Sequence, residues 1–127
     1  MKNLIIPPDQ REKFKPEVNF NAETGICEIS GESFMEAPDM FYIPLINWLE
    51  EYISLINKKI QLNIKLTYYN TNSSKFILQL LRLLSDYSNK DGEVEVNWHY
   101  SIEDEDMSEE IEEFSKESGL DIKGIRH

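Results

Sequence analysis

Between residues 60 and 87 the hydrophobic period of the chain changes once, and no other feature constrains the fold as tightly. Ile60, Leu62, Ile64 and Leu66 alternate with Gln61, Asn63, Lys65 and Thr67, the period of two that a strand with one buried face requires. Phe76, Ile77, Leu80, Leu81, Leu84 and Tyr87 then recur at helical spacing, so a strand passes directly into an amphipathic helix. The turn between them reads Tyr68-Tyr69-Asn70-Thr71-Asn72-Ser73-Ser74-Lys75. Asn72, Ser73 or Ser74 can supply the side-chain oxygen that caps the first free amides of the helix. The hydroxyls of Thr71, Ser73 and Ser74 therefore lie at a helix N-terminus, where backbone N–H groups and the dipole favour an anion such as a phosphoryl group. Capping alone accounts for the same residue types, and the run lacks the glycines of a phosphate loop.

Around this unit the remaining elements fall into order. Residues 7 to 17 hold three prolines and six charged side chains, which reads residues 1–17 as an extended arm with few core contacts. Val18 to Phe20 and Ile26 to Ile29, joined by a polar segment ending in Gly25, predict a β-hairpin. Gly31-Glu32-Ser33 closes its second strand. A helix follows from about Ile43, with Pro44 in its first turn and Phe41, Leu45, Trp48, Leu49, Tyr52, Ile53 and Ile56 on one broad face. Val94, Val96 and Trp98 alternate as a further strand. Met107, Ile111 and Phe114 mark a last helix that Gly119 is placed to end. Beyond it, Leu120 and Ile122 fit either an edge strand or a fold-back over the sheet.

The order β-β-α-β-α-β-α predicts a single α/β domain over residues 1–127, a mixed four- to five-stranded sheet with about three helices. Its core should unite Trp48, Leu62, Ile64, Leu66, Leu80, Leu81, Leu84 and Val96. The unit of strand, helix and strand over residues 60–99 should be a right-handed crossover if its strands are parallel.

Charge narrows the partners. Twenty-four acidic residues against 13 basic ones give a net charge of −11, which repels nucleic-acid phosphates and anionic membrane surfaces. The apolar run at residues 4–6 is too short for a signal-peptide core or a membrane span. With Cys27 as the lone cysteine, a cytoplasmic protein is expected.

Catalytic equipment is sparse. His99 is the only internal histidine, on the strand face opposite Val96 and Trp98, where a surface histidine is expected rather than a general base. Neither the cysteine nor the histidines reach zinc-site spacing. The run Glu103-Asp104-Glu105-Asp106 matches no EF-hand loop and reads as a solvated helix start. Cys27 reads as a buried, inert thiol. No metal and no cofactor is expected, and the residues by themselves describe a binding module. Two further readings stand beside a regulatory one. A small enzyme would use Tyr68, Tyr69, Glu32 or Glu36 with Lys75 near the turn, and a constitutive scaffold would use the hydroxyls for capping alone.

Gly31-Glu32-Ser33, Phe41-Tyr42, Pro44, Trp48-Leu49, Tyr52 and Tyr69-Asn70-Thr71-Asn72-Ser73-Ser74-Lys75 occur in that order. In them the chain resembles the SiaC family of bacterial regulatory phosphoproteins, from about Ile6 to Trp98, with the Tyr-Asn-Thr-x-Ser-Ser-Lys turn as the most specific part. The resemblance implies a fold like that of the STAS anti-sigma-factor antagonists and a role in protein contact rather than catalysis. It implies phosphorylation of Thr71, with Ser73 and Ser74 as alternates, by a serine/threonine kinase, and reversal by a PP2C-type phosphatase. It also implies that a signalling target such as a diguanylate cyclase is engaged by the unphosphorylated form. Contacts to these partners are then expected at Glu32, Ser33, Glu36, Tyr42, Tyr69, Asn70, Asn72, Ser73, Ser74 and Lys75. Phe34-Met35-Glu36-Ala37-Pro38 departs from the Pro-Glu-Asn-Ala that often follows Gly-Glu-Ser in the family, which bears on the target more than on the fold.

Overall fold

The alternation at residues 60–66 places Ile60, Leu62, Ile64 and Leu66 in the interior, each at most 1% exposed, and the rest of the sheet is built outward from them. A computed structural model describes residues 1–12 and 14–127. Its elements are β1 (Leu4–Ile6), β2 (Glu17–Phe20), β3 (Ile26–Ser33), α1 (Pro38–Leu55), β4 (Ile60–Tyr69), α2 (Thr71–Asn89), β5 (Val94–Tyr100), α3 (Met107–Ser118) and β6 (Ile122–Arg126). The six strands lie in chain order across one sheet. β1, β2 and β3 pair antiparallel, and β3 to β6 pair parallel.

Parallel neighbours need crossovers, and each of the three is a helix. α1 packs on α2 and α2 on α3. Leu62 stands between Cys27 and Val96, and Ile64 between Ile29 and Trp98, so these rows form the floor on which Leu45, Leu49, Leu80, Leu81 and Leu84 are buried. Burying each such side chain contributes roughly 1.5–3 kcal/mol. The opposite sheet face is polar. There Asn97 Nδ2 donates to Asn63 Oδ1 and Glu95 Oε2, and Lys65 pairs with Glu28. Because the strands follow chain order, successive crossovers do not diverge, and the fold lacks the reversal point at which open α/β sheets hold nucleotides.

Three expectations need correction, and one open alternative is resolved. The sheet has six strands rather than four or five, because Leu4–Ile6 and Ile122–Arg126 both join it. Residues 1–17 are therefore not an arm throughout. Leu4 pairs with Phe20 and Ile6 with Val18, and Trp48 Nε1 donates to the Lys2 carbonyl at 2.9 Å, fixing the start of the chain to α1. Residues 120–127 resolve into β6 with Val96 opposite Ile122. Finally, α1 begins at Pro38 rather than near Ile43, with Pro44 inside it. Pro38 suits the first helical position. Pro44 deprives the Met40 carbonyl of its helical partner, but Met40, Ile43 and Pro44 are on the exposed side, where water can satisfy that oxygen.

The last helix ends as expected, with Gly119 at φ 81° in the left-handed region. Cys27 is fully buried, and burial pushes its thiol up to about 12. His99 is half-buried on the polar sheet face, its ring 6.4 Å from that of His127. Burial lowers its pKa, and Lys65 and His127 lower it further against an opposing effect of Glu28. Among the described residues no helix is long and apolar enough to cross a membrane.

Candidate functional site: the Thr71 turn

The carboxyl ends of β3 and β4 are re-aimed by a bulge. Gly31 pairs with Leu66, but Glu32 pairs with Tyr68, so one residue of β4 is left over and the alternation slips by one. Gly31 takes φ 111° there, a conformation L side chains rarely adopt. In consequence Thr67 and Tyr68 both face solvent, and Tyr69 returns to the helix side. Simple alternation from Leu66 would have buried Tyr68 and exposed Tyr69.

Tyr68, 49% exposed, lies 5.9 Å from the ring of Phe34, itself 51% exposed, and Phe34 meets Phe14 edge-on. Phe34 N–H also donates to the Phe14 carbonyl. Phe14 and Phe34 border a groove of about 950 Å³ that includes Met35, Glu36 and Met40, the last 78% exposed. Tyr69 instead packs edge-on against Trp98 and Phe114. Burial raises its pKa, with the nearby Glu110 carboxylate, its hydrogen-bond partner, adding to the shift. Tyr69, Ser74, Lys75 and Leu78 face Glu110, Glu113, Phe114 and Glu117 across a second groove of about 290 Å³.

The turn itself borders the smaller groove through Ser74 and Lys75. Asn70 is the N-cap of α2, and its Oδ1 accepts from the Ser73 N–H at 2.8 Å. Capping thus falls to Asn70, upstream of the expected Asn72, Ser73 or Ser74. The Asn70 N–H donates to the Ser33 carbonyl, continuing the β3–β4 ladder into the turn. Ser73 is fully buried and Ser74 Oγ donates to the Thr71 carbonyl at 2.7 Å. Thr71, the first helical residue, is exposed, and its hydroxyl has no hydrogen-bond partner among the described residues.

The expected contact residues divide by this geometry. Glu32, Glu36, Asn70, Asn72, Ser74, Lys75 and Tyr69 keep some or all of their surface. Ser33, Tyr42 and Ser73 are each 0% exposed, so the expectation that they touch a partner, and that Ser73 is an alternate acceptor, does not hold in this fold. They form instead a hydroxyl chain beneath the turn. Of the residues named for an enzyme, Tyr69 and Lys75 line the smaller groove together, whereas Glu36 lines the larger one and Tyr68 is tilted against Phe34. No group of histidine, cysteine and acidic side chains among the described residues is arranged to hold a metal. The exposed aromatics Phe14 and Phe34 were missed. Their signal was present, since each is a large apolar residue inside an otherwise charged or turn-forming stretch.

Comparison with known proteins bears on this turn. A family model described as SiaC family regulatory phosphoprotein matches residues 10–127. An uncharacterized protein of Pseudomonas aeruginosa strain UCBPP-PA14 is 27% identical over 117 residues, covering 92% of this chain and 90% of that one. The fold superposes at a TM-score of 0.90 on a chain from the crystal structure of the diguanylate cyclase SiaD in complex with its activator SiaC from Pseudomonas aeruginosa, with 25% identity and coverage of 98% of this chain and 99% of that chain. It superposes equally well, at 0.90 with 24% identity over the whole of both chains, on SiaC of Pseudomonas aeruginosa. The single α/β domain and the family match agree: the chain belongs to the SiaC family of regulatory phosphoproteins.

Proposed function

We propose that this protein is a non-catalytic switch in which phosphorylation of Thr71 by a serine/threonine kinase releases a diguanylate cyclase that the unphosphorylated form engages. A PP2C-type phosphatase resets it. One observation carries the reading: Thr71 is the outward, uncommitted hydroxyl of the turn, and the strand that leads into the turn exposes Tyr68 against Phe34. Ser73 is buried and Ser74 is engaged with the Thr71 carbonyl, so Thr71 is the hydroxyl best placed for an incoming kinase. The cyclase enters by analogy with the similar chain found with SiaD.

At the first turn of α2 a phosphoryl group adds about 1.5 to 2 negative charges where helix amides and dipole stabilise an anion by roughly 0.3–2 kcal/mol. The fold therefore tolerates it. A partner packed over Tyr68 and Phe34 has to desolvate the same dianion, which costs several kcal/mol when it is left unpaired. Glu32, Glu36, Asn70, Asn72, Ser74, Lys75 and the edge of Tyr69 are the accessible residues through which kinase and target would be read. A kinase that draws on ATP would meet the protein in the cytoplasm, and the proposal puts it there. Intact-mass and peptide mapping of the protein isolated from its native host test the reading. A phosphoryl adduct on Thr71, absent from Thr71→Ala, is expected, and an unmodified Thr71 in every growth condition would refute it.

A further inference from the structure

Under the turn runs a chain of three buried hydroxyls from three elements. Tyr42 Oη of α1 lies 2.6 Å from Ser33 Oγ at the end of β3, and Ser33 Oγ donates to Ser73 Oγ of α2 at 2.9 Å. A serine hydroxyl has one hydrogen. Because Ser33 gives its hydrogen to Ser73, Tyr42 must donate to Ser33, and the chain has a single direction.

Ser33 also holds the turn through its backbone, accepting the Asn70 N–H at 3.0 Å. Asn70 Oδ1 in turn accepts the Ser73 N–H. Ser33, Asn70 and Ser73 thus close a ring of hydrogen bonds around two residues, Thr71 and Asn72, whose side chains are both exposed. Stability alone does not call for this arrangement, since replacing a buried hydrogen-bonded pair by apolar groups of like shape is often nearly neutral. What the hydroxyls add over apolar packing is direction.

We propose that Ser33 and Tyr42 are positioning residues for Thr71. Resting on the phosphorylation reading above, they fix Ser73 inward and so select Thr71 among the turn's three hydroxyls as the phosphate acceptor. The variants are Ser33→Ala, which orphans the Tyr42 and Ser73 hydroxyls, and Ser33→Ala with Tyr42→Phe, which removes the first of these orphans and leaves Ser73 untethered. Three quantities are measured: urea stability, amide hydrogen exchange of residues 71–75 against residues 78–84, and phosphate distribution by peptide mapping after expression in the native host. The double variant should regain stability over Ser33→Ala. Its turn amides should still exchange about fivefold faster than wild type, the loosening expected of one lost hydrogen bond. Phosphate on Thr71 should fall several-fold or spread to Ser73. Turn exchange that returns to the wild-type rate in the double variant would overturn the proposal, as would unchanged Thr71 occupancy in a wild type that is phosphorylated there. A wild type without phosphate on Thr71 refutes the switch instead, and the exchange rates then decide the positioning role by themselves.

Discussion

Replacing Asn70 by alanine isolates the cap of α2 from everything else at the turn. The Oδ1 to Ser73 N–H bond of 2.8 Å is lost, but the backbone bonds from Asn70 N–H to Ser33 and from Ser74 N–H to Asn70 are made by atoms that alanine retains. Only the cap term is removed, and such losses cost about 1 kcal/mol, within a range of roughly 0.5–2. With a urea m-value of about 1–2 kcal/mol/M, as for small domains, the midpoint should move down by roughly 0.5–1 M at constant m. Asn70→Asp keeps the acceptor oxygen and adds negative charge at the positive end of the helix, so it should match or slightly exceed wild type. Circular dichroism across a urea series gives all three midpoints. An alanine variant as stable as wild type would show that water caps α2 equally well, and an aspartate variant as weak as alanine would show that the loss is not one of capping.

Other consequences follow from burial. Leu81 is 0% exposed, and Leu81→Ala should cost about 2–5 kcal/mol, lowering the melting temperature by on the order of 10 °C; a shift of a degree or two would mean that this face of α2 is not core. Burial pushes the Tyr42 hydroxyl up to about 12. A folded value above the unfolded one gives stability that is full below about pH 10 and lost as pH rises through about 12, roughly 2–3 kcal/mol in all. Tyr42→Phe should therefore flatten the alkaline fall in stability, and parallel curves for variant and wild type would contradict this. Glu110 is raised by burial, then by Asp104 and Asp106, against a lowering hydrogen bond from Tyr69. Its favourable contribution is full below its unfolded pKa and lost as pH rises through the folded value, so Glu110→Gln should raise the melting temperature at pH 7 and do little at pH 4. A lower melting temperature at pH 7 would count against it.

Where one physical signal acted alone, the sequence was legible. Residues 60–66 showed β4 because one buried face imposes strict alternation, and residues 76–87 showed α2 because one buried stripe imposes helical spacing. Leu4–Ile6 was obscured because three residues carry no period and Pro7-Pro8 follows at once. Ile122-Lys123-Gly124-Ile125-Arg126 was obscured because glycine interrupts an already short run. The start of α1 was misplaced because the cost of an interior proline depends on whether the freed carbonyl meets water, a tertiary fact. At the site, only the family resemblance singled out Thr71, whereas hydroxyls beside a helix start were legible as a group. The bulge that exchanges the roles of Tyr68 and Tyr69 was not, since a slip of one residue is set by the pairing of β3 with β4. Ser33, Tyr42 and Ser73 were expected at a partner surface through the family resemblance, and their burial becomes plain only when three distant elements bring the hydroxyls together.

The most direct test of the switch is calorimetric titration of the diguanylate cyclase of the same organism with the two forms of the protein, phosphorylated and unphosphorylated on Thr71. Circular dichroism of both accompanies it. Burying an unpaired dianion under the partner costs several kcal/mol, and each 1.4 kcal/mol is about tenfold in affinity. The unphosphorylated form should therefore bind at least about a hundredfold more tightly, while the two forms give superimposable spectra. Equal affinities, or a phosphorylated form that has lost its fold, would contradict the account.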